Sequence, residues 1–205
     1  MQNPVRTLAI ETASEACSVA LFSGADCIAN DHREIGRGHA ERLISMIAAL
    51  PDKGKADRIL VSLGPGSFTG VRIGIAAARA LGVAWQAQVL GYPTLTLIAV
   101  MAQQMRAEPV TVCTTAGHGE WFLQNFDRSG SPQNQLMSLP PSVAAQNTKH
   151  SYIVGSKAKE LVKLLNENSQ VTQTILPNAI NALELPDTAL SSQISPVYGL
   201  SLIHI

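Results

Sequence analysis

The chain is thin in aromatic residues and in charge. Phe, Trp and Tyr make up 4% of its 205 residues, and Asp, Glu, Lys and Arg together 15%, against about 25% charged in ordinary soluble domains. Its core must therefore be built mainly from Ala, Val, Ile and Leu, and a surface this poor in charge fits either a simply Ala-rich protein or one partly covered by a partner. No excess of either sign exists: Lys and Arg number 15, as do Asp and Glu. That balance argues against a stand-alone nucleic-acid binder, which carries a basic surplus. Cysteine is scarce and unpaired by pattern. Cys17, Cys27 and Cys113 lack C-x-x-C spacing, which excludes a zinc ribbon and fits reduced thiols in a cytoplasm. No apolar run reaches the roughly 18 unbroken residues of a membrane span, and the N-terminus runs into a strand pattern rather than a signal peptide. A cytoplasmic location with no membrane contact is expected. Gly/Ser-rich linkers and low-complexity tracts are also absent, and the length suits one large domain or two of roughly 100 residues.

The first half alternates in a definite order. Strands are expected at 6–11, 17–22 and 27–33, joined by a polar turn at 12–16 and a tight turn at Ser23-Gly24-Ala25-Asp26. A helix is expected over 38–49, where Leu43, Ile44, Ile47 and Leu50 recur at helical spacing. Residues 51–57 break it, and 58–62 form the next strand. A Gly-rich turn, a helix over 71–85, a strand at 88–91 and a helix at 94–105 follow, with Pro93 as the entry to the last. Three strands in a meander, then alternating helix and strand, is the order of the ribonuclease H-like unit from which actin, Hsp70 and sugar-kinase ATPases are built. A Rossmann start is excluded, because there the first strand leads straight into a Gly-rich loop and a helix. The second half is weaker. Strands at 110–114 and 120–126 pair across Ala116-Gly117-His118-Gly119, 129–134 is a polar turn, 140–146 is ambiguous, 152–155 reads as a strand and 158–166 as a helix. From residue 168 the pattern fades into polar, proline-containing sequence. The expected architecture is α/β, an actin-like (ASKHA) ATPase fold of two ribonuclease H-like lobes with the second eroded. Residues 1–105 are expected as the first lobe, 106–198 as the smaller second lobe, and 199–205 as a non-native or disordered tail.

The most distinctive stretch is Leu63-Gly64-Pro65-Gly66-Ser67-Phe68-Thr69-Gly70-Val71-Arg72-Ile73-Gly74. It lacks the Gly-Lys-Ser/Thr ending of a P-loop and is not GxGxxG, so no lysine reaches a phosphate. Its glycines allow close backbone approach, and Ser67 or Thr69 suits a helix N-cap. In the helix beyond it, Gly74, Ala78 and Gly82 recur every four residues along one face. Arg72 and Arg79 are the only charges between Phe68 and Val100. A helix so poor in charge is buried, either within its own fold or against another protein, and the sequence leaves both open.

Other residues weigh less. His39 opens a helix in Gly38-His39-Ala40-Glu41-Arg42-Leu43, but no second His follows on its face, so metal binding is not expected. Glu11 ends the first strand, where an actin-like ATPase keeps an acid near the phosphates. With Thr12 it is a candidate vestigial nucleotide site. One carboxylate without a matching acid in the other half does not run phosphoryl transfer. His118-Gly119-Glu120 has no evident nucleophile nearby. No catalytic residue and no metal ligand is therefore assigned.

Together the segments 8–21, 38–43 and 64–74 resemble the TsaB (YeaZ) family, the dimerization subunits of bacterial tRNA threonylcarbamoyladenosine biosynthesis. The likeness is continuous over about residues 6–100 and looser to about 165. The lack of paired metal-binding histidines separates the chain from the catalytic paralogue, TsaD. The resemblance implies a two-lobed actin-like protein without an active site of its own, acting as scaffold and activator. It implies a heterodimer with TsaD through the first lobe's helices, with His39, Arg72, Gly74, Ala78, Arg79 and Gly82 at the interface and Gly64, Pro65, Gly66, Ser67, Phe68, Thr69 and Gly70 as the signature turn. It further implies docking of TsaE on that pair, and a homodimer when TsaD is absent. Contact with tRNA comes only through the complex, which places threonylcarbamoyl on adenosine 37 of tRNAs that read ANN codons. ATP and metal belong to the partner subunits, and this chain has no cofactor of its own. An alternative is a small actin-like ATPase or kinase, or a peptidase-like enzyme. Two departures from the family pattern stand out: Thr115-Ala116 replaces the usual Asp-Ala, and an apolar run follows Pro196-Val197-Tyr198.

Overall fold

A computed structural model describes residues 4–165, 171–198 and 200–201. Its first sheet begins as a meander. Strands β1 (Arg6–Glu11) and β2 (Ala16–Ser23) pair antiparallel from Arg6↔Ser23 to Glu11↔Ser18, and β3 (Asp26–Glu34) pairs antiparallel with β2. Helix α1 (His39–Ala49) then carries the chain to β4 (Arg58–Ser62), which lies parallel to β1. Helix α2 (Phe68–Trp85) leads to β5 (Gln88–Tyr92), parallel to β4. The strand order is β3-β2-β1-β4-β5. Leu8, Ala9, Ile10, Ile59, Leu60 and Val61 on the two central strands are all buried, as a parallel pair covered on both faces requires. On one face, Leu8, Ile10, Val19, Leu21, Ile59 and Val61 pack with Leu43 and Ile47 of α1 and Val71, Ile75 and Ala78 of α2.

Helix α3 (Thr94–Met105) opens the second unit, followed by β6 (Val110–Thr115), β7 (Trp121–Phe126) and β8 (Met137–Leu139). Helix α4 (Pro141–Gln146), β9 (Tyr152–Val154), α5 (Ala158–Leu165), β10 (Val171–Gln173) and β11 (Leu200–Ser201) complete it. The order is β10-β9-β6-β7-β8-β11. Without β11, this is the first sheet over again: a three-strand antiparallel meander, then a helix, a strand parallel to the first, a helix and a further parallel strand. Two copies of the ribonuclease H-like unit in one chain make the actin-like fold. The second copy is eroded. Its last three strands span 3 residues each, against 9, 5 and 5 in the first copy.

The units divide differently from the sequence expectation. The chain up to Thr94 and Pro177–Val197 form one unit; Leu95–Leu176 and the chain from Tyr198 form the other. The boundary falls after the first residue of α3 rather than after residue 105, because Leu95, Ile98, Ala99 and Ala102 pack with Val110, Phe122 and Tyr152. Residues 177–197 leave the expected second lobe because their apolar groups and amides find partners on the first sheet. Ala179 N–H donates to Ser18 Oγ at 2.9 Å, and Val197 N–H to the Leu63 carbonyl at 2.7 Å. Of the expected tail 199–205, only Leu200–Ser201 are described, and their backbone pairs parallel with β8. Asn166, the expected last residue of α5, lies outside the described residues.

Candidate functional site

The signature segment is held by the turn between β1 and β2. Ser67 N–H donates to the Ala13 carbonyl at 2.7 Å, and Thr12 Oγ1 donates to the Gly70 carbonyl at 2.8 Å. This approach requires glycine. A Cβ on Gly66 would stand 2.0 Å from the Ala13 oxygen, and one on Gly70 2.0 Å from the Thr12 oxygen. Gly64 and Pro65 are buried and joined by a cis peptide, while Ser67, Phe68 and Thr69 are exposed. Helix α2 begins at Phe68, earlier than the sequence pattern predicts, because Ser67 caps it by accepting from Gly70 N–H at 3.2 Å. Such a cap stabilises the helix by about 1 kcal/mol. Three signature residues, Phe68, Thr69 and Gly70, thus form the first turn of the helix.

His39 is the matching pin from α1. It is buried, and its Nε2 lies 3.0 Å from the Ser14 carbonyl and 3.2 Å from that of Ala16. Two carbonyl acceptors require a proton on Nε2. The ring therefore locks α1 to the same turn that receives the signature segment, and it faces inward rather than toward a partner. Beside it a cleft of about 450 Å³ opens between the loop before α1 and the start of α2, lined in part by Arg37, Glu41, Ser67 and Thr69.

Beneath the turn sits Glu11, with no solvent exposure. Its Oε1 accepts from Ala13 N–H at 2.7 Å, while Oε2 has no hydrogen-bond partner. Two hydroxyls stand close by: Tyr92 donates to the Ile10 carbonyl at 2.9 Å, and Ser62 Oγ lies 2.6 Å from Thr94 Oγ1. Burial disfavours the carboxylate and, offset in part by the Ala13 amide and the neighbouring hydroxyls, pushes Glu11 up to about 7. Thr12 is equally buried. The two residues of the candidate nucleotide site are therefore sealed under the signature turn. Among the described residues no group of three or more His, Cys, Asp and Glu is placed to hold a metal, and no helix is long and apolar enough to cross a membrane.

The small stripe of α2 faces the sheet, not the outside, which corrects the expectation for three interface candidates. A Cβ on Gly74 would stand 2.4 Å from Thr12 Oγ1 and one on Gly82 2.5 Å from Val89 Cγ2, while Ala78 is fully buried. Two residues along an α-helix is about 200°, close to the opposite side. That opposite side carries Phe68, Arg72, Ala76, Arg79, Ala80 and Val83, all exposed. Phe68 is 55% exposed and Val83 83%, and no acid occurs on the helix. Arg72 and Arg79 thus do lie on the outer face. The Arg72 guanidinium stacks over the Phe68 ring, 3.6 Å from its centroid, and Arg79 Nη2 donates to the Ile194 carbonyl. On α1, which packs beside α2, Ile44 is 54% exposed. The sequence reading missed Ala76, Ala80 and Val83, although the 74/78/82 stripe, once given to the sheet, marks its opposite as the outer face.

The family model described as "TsaD: tRNA N6-adenosine threonylcarbamoyltransferase" matches residues 29–138. The Escherichia coli protein named tRNA threonylcarbamoyladenosine biosynthesis protein TsaB is 37% identical over 60% of this chain and 56% of its own length. This chain thus spans little more than half of that relative. The Haemophilus influenzae protein of the same name is 28% identical over 97% of this chain and 94% of its own. The solved structure of YeaZ from Pseudomonas aeruginosa superposes with a TM-score of 0.80 at 28% identity, covering 95% of this chain and 99% of that one. By its signature segment, its doubled fold and these matches, the chain belongs to the group described by the TsaD model and, within it, to the TsaB/YeaZ family.

Proposed function

We propose that this chain is a non-catalytic scaffold and activating subunit that pairs with a TsaD-type catalytic subunit in the biosynthesis of tRNA threonylcarbamoyladenosine. Family membership supports the role in that pathway. The observation that carries the subunit reading is the outer face of α2. It sets exposed Phe68, Ala76, Ala80 and Val83 beside Arg72 and Arg79, without an acid on the helix. A rigid helix presenting small and apolar side chains suits close packing against a partner helix. The two arginines favour acidic groups at its rim. The sealed Glu11 and Thr12 support the absence of a nucleotide site in this lobe.

On this reading ATP and metal act on the partners, and TsaE docks on the assembled pair. The same face closes a homodimer when the catalytic partner is missing, tRNA is met only through the complex, and the complex works in the cytoplasm. The test is reconstitution of adenosine 37 threonylcarbamoylation from purified subunits with and without this chain. Loss of modification when it is omitted, with no turnover by the chain alone, supports the proposal. Modification at full rate without it, or ATP or peptide hydrolysis by the isolated chain that is lost in Glu11→Ala, overturns it.

A further inference from the structure

The segment Pro177–Val197 was featureless in sequence, yet it encircles part of the first unit. Its first stretch, a 3-10 helix at Ala179–Glu184, packs against β1, β2 and β3, with Ala179 and Ala182 buried and the Ala179 amide bonded to Ser18 Oγ. The chain then reaches β5, an end strand of the five-stranded sheet. There the Gly91 and Ser191 amides and carbonyls exchange both hydrogen bonds, at 2.8 and 2.9 Å. Three residues later the Ile194 carbonyl accepts from Arg79 on α2. Three further on, Val197 N–H donates to the Leu63 carbonyl at 2.7 Å, at the first residue of the signature segment. Ile194 and Val197 are half-buried against the core that holds α1 and α2.

We propose that residues 186–197 are a strap that sets the position of α2 and the signature turn, with Arg79 and the Val197 amide as its two fastenings. The strap passes around the β5 edge and so protects that edge from pairing with another chain. Apart from one 3-10 turn at Asp187–Ala189 it has no helix, and it is fixed by a few backbone bonds and two half-buried side chains. A segment held this way opens locally at much lower cost than the sheet beneath it. Its fastenings meet the docking helix itself and the turn that starts it. Release of the strap therefore loosens α2 while leaving β1 and β4 in place, and a partner that needs α2 in its closed position binds the strapped form preferentially. This last consequence rests on the docking reading above; the loosening of α2 does not.

Hydrogen exchange on the 205-residue chain tests it, using Val197→Pro, which removes the amide given to Leu63, and Arg79→Met, which keeps the aliphatic stem but not the donor. Both variants are expected to speed exchange at least tenfold in 190–197 and in the amides of 63–71, with β1 and β4 unchanged. Val197→Pro, whose substitution lies off the docking face, is expected to weaken binding of the TsaD-type subunit about tenfold. Faster exchange in the strap with residues 63–71 unaffected overturns the proposal. So does unchanged partner affinity for Val197→Pro while wild type binds. If wild type itself does not bind, the docking reading falls, and the exchange of 63–71 alone decides for or against the strap.

Discussion

Gly66 faces the Ala13 carbonyl so closely that a Cβ there would stand 2.0 Å from its oxygen. The clash is with backbone, which cannot rotate away. Gly66→Ala is expected to cost about 3 kcal/mol, the upper end for overpacking. Ser67→Ala, which removes only the cap on Gly70 N–H, is expected to cost about 1 kcal/mol. Urea denaturation of the two variants checks the ranking. The reverse order would mean that the turn accommodates a Cβ at position 66 and that Ser67 holds more of the fold than a helix cap does.

Glu11 makes the first unit sensitive to pH. Its carboxyl, raised by burial from 4.5 to about 7, binds a proton more tightly in the folded state than in the unfolded one. Stability from this group is therefore full below about pH 4.5 and falls as pH rises through about 7. The shift corresponds to a loss on the order of 3 kcal/mol. Glu11→Gln keeps the shape and removes the titration, so its stability between pH 5 and pH 8.5 is expected to be flatter than wild type. Parallel profiles for the two proteins would mean that Glu11 is not the titrating group.

The two sides of α2 predict opposite outcomes for the same chemical change. Ala78 is fully buried against the sheet, so Ala78→Leu is expected to lose about 1–3 kcal/mol by overpacking. Ala76 is exposed, so Ala76→Leu is expected to stay within about 0.5 kcal/mol of wild type. Thermal melts of the pair distinguish the faces; equal losses would place Ala76 inside the fold.

His39→Ala leaves the half-buried Ser14 carbonyl and the buried Ala16 carbonyl without their shared donor. An unsatisfied buried acceptor costs about 1–3 kcal/mol. The loss should appear in the denaturation midpoint of the isolated chain, with no partner present. A variant as stable as wild type would return His39 to the surface.

The doubled fold was legible because its first copy has long, regular strands bounded by turns at 23–26 and 51–57, and because the charge-poor helix at 68–85 follows a segment that only close backbone approach explains. The same pattern could not say which side of that helix is buried, since small residues fit a sheet and a partner helix equally well. The unit boundary was misplaced because α3 directly continues the β4–α2–β5 run in sequence, while its apolar face belongs with Tyr152 and Phe122. Strands β8 and β10 have three residues each, too few for a period to register. The segment 177–197 is held largely by main-chain bonds, which leave no trace in side-chain pattern. Arg79 reads in sequence only as a charge on an apolar helix, because the carbonyl it meets is 115 positions away.

The central claim is that the outer face of α2 docks the catalytic subunit, and sedimentation velocity tests it most directly. The 205-residue chain, wild type or Ala76→Arg, is mixed with an equimolar TsaD-type subunit. Position 76 is exposed and Arg is a good helix former, so the variant is expected to melt with wild type. Wild type is expected to sediment with the subunit as a heterodimer, and the variant to leave both proteins as separate species. A heterodimer of undiminished affinity with Ala76→Arg would contradict the assignment of this face.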